Sequence, residues 1–118
     1  MDYVNSVRLV GRVSAVGEAR ELPSGDTVHT LRVVVPRAVV ARRASKGDDG
    51  GRAGVDTIDV ACWTAASRRT AGTLTADDHV EVEGALRRRF FRTGAGVASR
   101  YEVEAARLRR VKEVVAPG

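Results

Sequence analysis

Val80-Glu81-Val82-Glu83-Gly84-Ala85-Leu86-Arg87-Arg88-Arg89-Phe90-Phe91-Arg92 begins as a half-buried strand and ends as a cationic, aromatic ribbon. Side chains of a strand alternate between its faces, so Val80, Val82, Leu86 and Phe90 share one parity and are expected in the core. Glu81, Glu83, Arg87, Arg89 and Phe91 take the other parity. Folding alone gives no reason to display arginine and phenylalanine together on an open face. A single-stranded polynucleotide does, because phosphates pair with guanidinium groups and bases stack on rings.

The rest of the chain agrees with a basic, soluble module. Its 118 residues suffice for one domain with a real core and no disulfide. Hydrophobic content of 43% and charged content of 30% are ordinary for a globular protein. The net charge is +5, and only Lys46 and Lys112 among the 20 basic residues are lysine. Arginine is the better residue for bidentate phosphate contacts and for stacking on bases. No run is long enough to span a membrane, and the first residues lack the pattern of a signal peptide. The lone Cys62 excludes an internal disulfide and fits a reducing cytoplasm, where a nucleoid location is expected.

Working outward, residues 4–13 form a first strand candidate, with Val7, Leu9 and Val13 alternating and Gly11 marking a bulge or close approach. Residues 16–22 lead into Pro23-Ser24-Gly25-Asp26, a turn in which proline presets φ and glycine supplies a positive one. A second strand spans 27–35. Residues 38–54 read as a long glycine-rich basic loop. The third strand, 56–63, places Ile58, Val60 and Cys62 inward, with Thr57, Asp59, Ala61 and Trp63 opposite. Thr64 is expected to cap a short helix that Gly72 stops. After the ribbon comes a loop at 93–99, then a last strand at 101–105. A domain of residues 1–110 with a short extension, 111–118, is expected.

Strand, strand, strand, short helix, strand, strand predicts an all-β fold. This is the order of a five-stranded OB-fold, a Greek-key barrel with one helix between strands 3 and 4. The pattern alone also permits another small barrel or a sandwich.

The chain resembles the bacterial single-stranded DNA-binding proteins from about residue 4 to 106. The likeness rests on Asn5-Ser6-Val7-Arg8-Leu9-Val10-Gly11-Arg12, Pro23-Ser24-Gly25, Asp59-Val60-Ala61-Cys62-Trp63, the run 82–87 and Tyr101-Glu102-Val103. It implies an OB-fold, a homotetramer and the wrapping of single-stranded DNA, with roles in replication, repair and recombination. Two of the family's four stacking rings match, at Trp63 and Phe91. The other two positions fall at Val39 and Thr57, which stack poorly. At about 1–3 kcal/mol per stacked base, their loss predicts weaker binding that leans on arginine and is more salt-dependent. The chain also stops at Ala116-Pro117-Gly118 without the family's acidic, Phe-tipped tail. Tail-mediated recruitment of repair enzymes is therefore not expected, and the likeness is to a divergent second copy.

The expected DNA-binding set is Trp63, Phe91, Arg87, Arg89 and Arg92, with Arg42, Arg43, Lys46 and Arg52 from the long loop and Arg37 beside it. Trp63 also fits a packed or interface tryptophan, Tyr101 suits a structural role equally well, and the loop cations are equally suited to plain solvation. Val10 and Val34 are apolar positions without a place in the core and are candidates for a partner subunit. His29 and His79 are isolated and no zinc spacing exists, so no metal, cofactor or catalysis is expected. Two other readings stay open: an OB-fold adaptor acting through protein contacts, as in primosomal relatives, and an RNA-binding module of the same chemistry.

Overall fold

The computed structural model describes residues 1–37 and 54–112. Five strands, β1 (Val7–Glu21), β2 (Thr27–Pro36), β3 (Val55–Cys62), β4 (His79–Thr93) and β5 (Gly96–Val111), close into a barrel in the order β1-β2-β3-β5-β4. One helix, α1 (Ala65–Ala71), lies between β3 and β4. All strand pairs are antiparallel except β3 with β5, which meet in parallel at Val60–Val103 and Ala61–Glu104. This is the expected five-stranded OB barrel.

Closure depends on β1 serving two neighbours. Its first part pairs with β4, from Val7–Gly84 to Arg12–His79, and its second part pairs with β2 as far as Glu21–Thr27. β1 is therefore longer than the strand expected at 4–13. Two register shifts, at Val13/Ala15 and Val16/Ala19, break the alternation by which the sequence would have shown it. Gly11 is the expected close approach: a Cβ there would lie 2.5 Å from the Val34 carbonyl oxygen.

Val13, Leu31, Val33, Val60, Cys62, Val80, Val82, Val103 and Leu108 fill the barrel; on β5, Val103 and Leu108 have opposite parity, and the register shift opposite Glu83/Gly84 turns both inward. Burying each such valine or leucine contributes about 1.5–3 kcal/mol. Ala71 and Leu74 join this core from the end of α1 and the segment after it. Thr64 caps α1 as expected, its Oγ1 accepting from Ser67 N at 3.1 Å. Gly72 ends the helix in an ordinary right-handed conformation, so glycine is not required there for its backbone freedom.

β5 is longer than the strand expected at 101–105, because it pairs with β4 over its whole length, from Thr93–Gly96 to His79–Val111. The loop expected at 93–99 contracts to a turn at Gly94 and Ala95, with Gly96 at φ 128° returning the chain. Leu86 and Phe90 are not in the core: they are 45% and 65% exposed. β1 leaves β4 at Gly84, and no third strand among the described residues replaces it beyond that point. Val34 is only 8% exposed, so it offers little surface to a partner, whereas Val10 stays at the surface.

Candidate nucleic-acid interface

Beyond Leu86 and Val103, where β5 also leaves β3, the barrel gives way to a two-stranded arm, residues 87–93 of β4 against 96–102 of β5. A ribbon of two strands has no interior, so side chains on both of its faces lie outside the barrel core. At its base Asn5 acts as a substitute for a third strand. Its amide donates to Leu86 O at 2.8 Å and accepts from Leu86 N at 2.9 Å.

Directly opposed residues of an antiparallel pair share a face. Arg87–Glu102, Arg89–Arg100 and Phe91–Ala98 therefore define one face of the arm. Trp63, the first residue after β3, brings its ring to this face, with the Arg89 guanidinium 4.7 Å from the ring centroid. Arg89 Nε donates to the buried Glu102 carboxylate at 2.5 Å. Arg100 lies 5.8 Å over Phe91, which is 43% exposed. Trp63, Arg89, Glu102, Arg100 and Phe91 thus form one continuous chain of contacts. The backbone carbonyl of Trp63 accepts from Arg68, while its indole N–H is buried and has no partner among the described residues. A groove of about 250 Å³ extends this surface from Arg100 and Glu102 past Asp59 and Arg32 to the β1 bulge at Gly17.

The expected site is brought together in part. Trp63, Arg87, Arg89 and Phe91 share one side of the molecule. Arg87 is paired with Glu104 at 3.3 Å, so it and Arg89 both begin in ion pairs with carboxylates. Arg92 sits opposite Val97, on the face of the arm away from Phe91. Arg37 pairs with Asp56 at 2.9 Å, at the end of β3 remote from Trp63, and that hydrogen bond and charge raise its pKa further. Arg42, Arg43, Lys46 and Arg52 lie outside the described residues, as does Val39. Thr57 is exposed on β3 and carries no ring.

Three residues were missed by the sequence reading. Arg100 is one, and the signal that would have found it is its register against Arg89. Arg88 and Phe90 are the others. Arg88 lies 5.0 Å from the Phe90 ring and 5.5 Å from the Tyr101 ring, on the second face of the arm. Gly84, a glycine inside a strand, was the available hint that the barrel parity stops applying there.

Cys62 is fully buried, and desolvation pushes its thiol up to about 11, so it is a packing residue rather than a nucleophile. His29 is buried with Nε2 2.8 Å from Gly17 O. Among the described residues no group of side chains could hold a metal ion, and no helix is long and apolar enough to cross a membrane.

A model of the single-strand binding protein family matches residues 4–111. Among solved structures, the Plasmodium falciparum SSB in complex with ssDNA superposes with a TM-score of 0.75 at 17% identity, covering 95% of this chain and 98% of that one. No curated protein sequence matches the chain.

Proposed function

The chain belongs to the single-strand binding protein family, and from that premise we propose that it binds single-stranded DNA with little sequence preference. The observation that carries this reading is the convergence of Trp63 and Phe91 on one face, each ring already covered by a guanidinium. A base takes the place of the guanidinium on the ring, and the displaced arginine turns to the adjacent phosphate. This is binding without catalysis: its free energy comes from stacking and from release of counterions. It fits the protection of exposed strands in the cytoplasm during replication, repair or recombination. A homo-oligomer, by family likeness a tetramer, is part of this reading, and the exposed Val10 on β1 supports it with an apolar position at the surface.

Trp63 is the only tryptophan, so the test is direct. Titration with poly-dT quenches tryptophan fluorescence to saturation; no change at saturating strand removes Trp63 from the site. The ion pairs of Arg87 and Arg89 favour a second reading, in which the arm mainly contacts protein and strand binding is weak. The double substitution of Trp63 and Phe91 by alanine separates them, because only strand binding through these rings is lost with it. Stacking does not distinguish the sugars, and competition between matched DNA and RNA strands decides that point.

A further inference from the structure

Glu102 is a buried carboxylate that joins the two rings of the proposed strand site through the arginines covering them. Its side chain is 4% exposed, and its two oxygens address one guanidinium group each. Oε2 accepts from Arg89 Nε at 2.5 Å, and Arg89 lies 4.7 Å from the Trp63 centroid. Oε1 lies 4.0 Å from Arg100 Nε, and Arg100 lies 5.8 Å from the Phe91 centroid. The first pairing is closed and the second is just out of hydrogen-bond reach. An ion pair that served only to hold the two strands together needs one guanidinium. Here a second waits beside the same carboxylate, over the other ring.

We infer that Glu102 is a specificity-determining residue, which makes this face answer to strands with accessible bases and not to bare polyanions. The inference rests on the strand-binding reading above. With no base on Trp63, Arg89 keeps both its ring and its carboxylate, and its charge is already answered when a phosphate approaches. A base that stacks on Trp63 displaces Arg89 from ring and carboxylate together. Arg100 then closes the remaining distance to Glu102. The buried carboxylate is thereby spared the costly state, the one without a partner. The same movement takes Arg100 off Phe91 and opens the second ring to a neighbouring base. Arg89, once released, neutralises a phosphate, and counterions leave the strand. Backbone affinity becomes available only after a base has arrived. Discrimination of this kind works against the wrong ligand rather than for the right one.

The test uses the full chain, E102Q and R100Q, with two labelled probes followed by anisotropy. One is a dT oligomer of about 30 nucleotides, and the other an abasic oligomer of the same length, with the same phosphates and no bases. In the unaltered protein dT is expected to bind far more tightly than the abasic oligomer. In E102Q the charge of Arg89 is free from the start. Affinity for the abasic oligomer is then expected to rise about tenfold, as one added charge-assisted contact gives. Its salt slope is expected to steepen by about 0.7, while dT affinity rises less. In R100Q the exchange has no second partner, so dT affinity is expected to fall more than abasic affinity. The preference for dT shrinks in both variants, from opposite sides. Arg100 is 55% exposed, so R100Q spares the core and decides the matter if E102Q does not fold. A preference unchanged in R100Q, or in folded E102Q, would overturn the inference, because affinities that move together mark Glu102 as a structural ion pair. Failure of the unaltered protein to bind dT would instead break the strand-binding reading, and the inference with it.

Discussion

At Trp63 the Arg89 guanidinium lies over the indole ring, yet the ring's N–H is buried without an acceptor among the described residues. A buried donor left unpaired costs about 1–3 kcal/mol, so tryptophan is not there for its hydrogen bond. In the proposed function, what it supplies is a broad ring for stacking. Trp63→Phe removes the orphan donor, which stabilises, and loses part of the packed indole, which destabilises, so the two effects oppose each other. The melting temperature is expected to move by no more than a few degrees, as about 1 kcal/mol would give. Anisotropy of labelled dT should show an affinity loss below tenfold for Trp63→Phe. Trp63→Ala should lose more, about 1–3 kcal/mol for the missing platform. Equal losses in the two variants would show that the ring is not the working part.

At the scale of the element, the β4–β5 hairpin is one long pair with a break at Gly84, where the register shifts between Glu83 and Gly84. Its backbone there passes so close to β5 that a Cβ would lie 1.9 Å from Glu104 O and 2.9 Å from Glu104 C. These are backbone atoms and cannot swing away. Gly84→Ala is expected to destabilise the protein by about 3 kcal/mol, at the upper end of overpacking effects. Gly94→Ala, at the open tip, should be neutral. Urea unfolding measures both through the midpoint at constant m, and equal midpoints for the two variants would show that Gly84 is not a packing constraint. The same glycine explains where the sequence could be read and where it could not. Up to Gly84 alternation is enforced by a core on one side, so Val80 and Val82 were placed correctly, as were Val13 and Val60. Beyond it alternation still sorts the side chains into two faces, but neither face is inside. Phe90 therefore had the parity of the core without its environment. Arg87, Arg89 and Phe91 kept their common face, whereas the carboxylates opposing the arginines come from β5, whose register no local pattern reveals.

At the scale of the whole molecule, barrel closure is reinforced on its outer surface by a single carboxylate that ties three strands. Glu81 of β4 accepts from Arg8 of β1 and Arg109 of β5, both at 2.6 Å, and is 5% exposed. The hydrogen bonds from Arg109 and Arg8 hold its pKa below the ordinary glutamate value. Asp78 is also held low, first by the Thr75 backbone N–H and then by Arg110. A carboxylate with a depressed folded pKa stabilises the fold above its unfolded pKa, near 4. That stabilisation is lost as pH falls through the lower, folded value. Melting temperature against pH should therefore be level through the neutral range and fall below about pH 4. Glu81→Gln keeps the side chain's shape but leaves two guanidinium groups facing an uncharged amide, so it should melt lower than the unaltered protein at pH 7. With that titration removed, its acid limb should be shallower, and the two curves should converge as the pH drops. Parallel curves from pH 7 to pH 2 would show that the link between β1, β4 and β5 does not depend on the charge of Glu81.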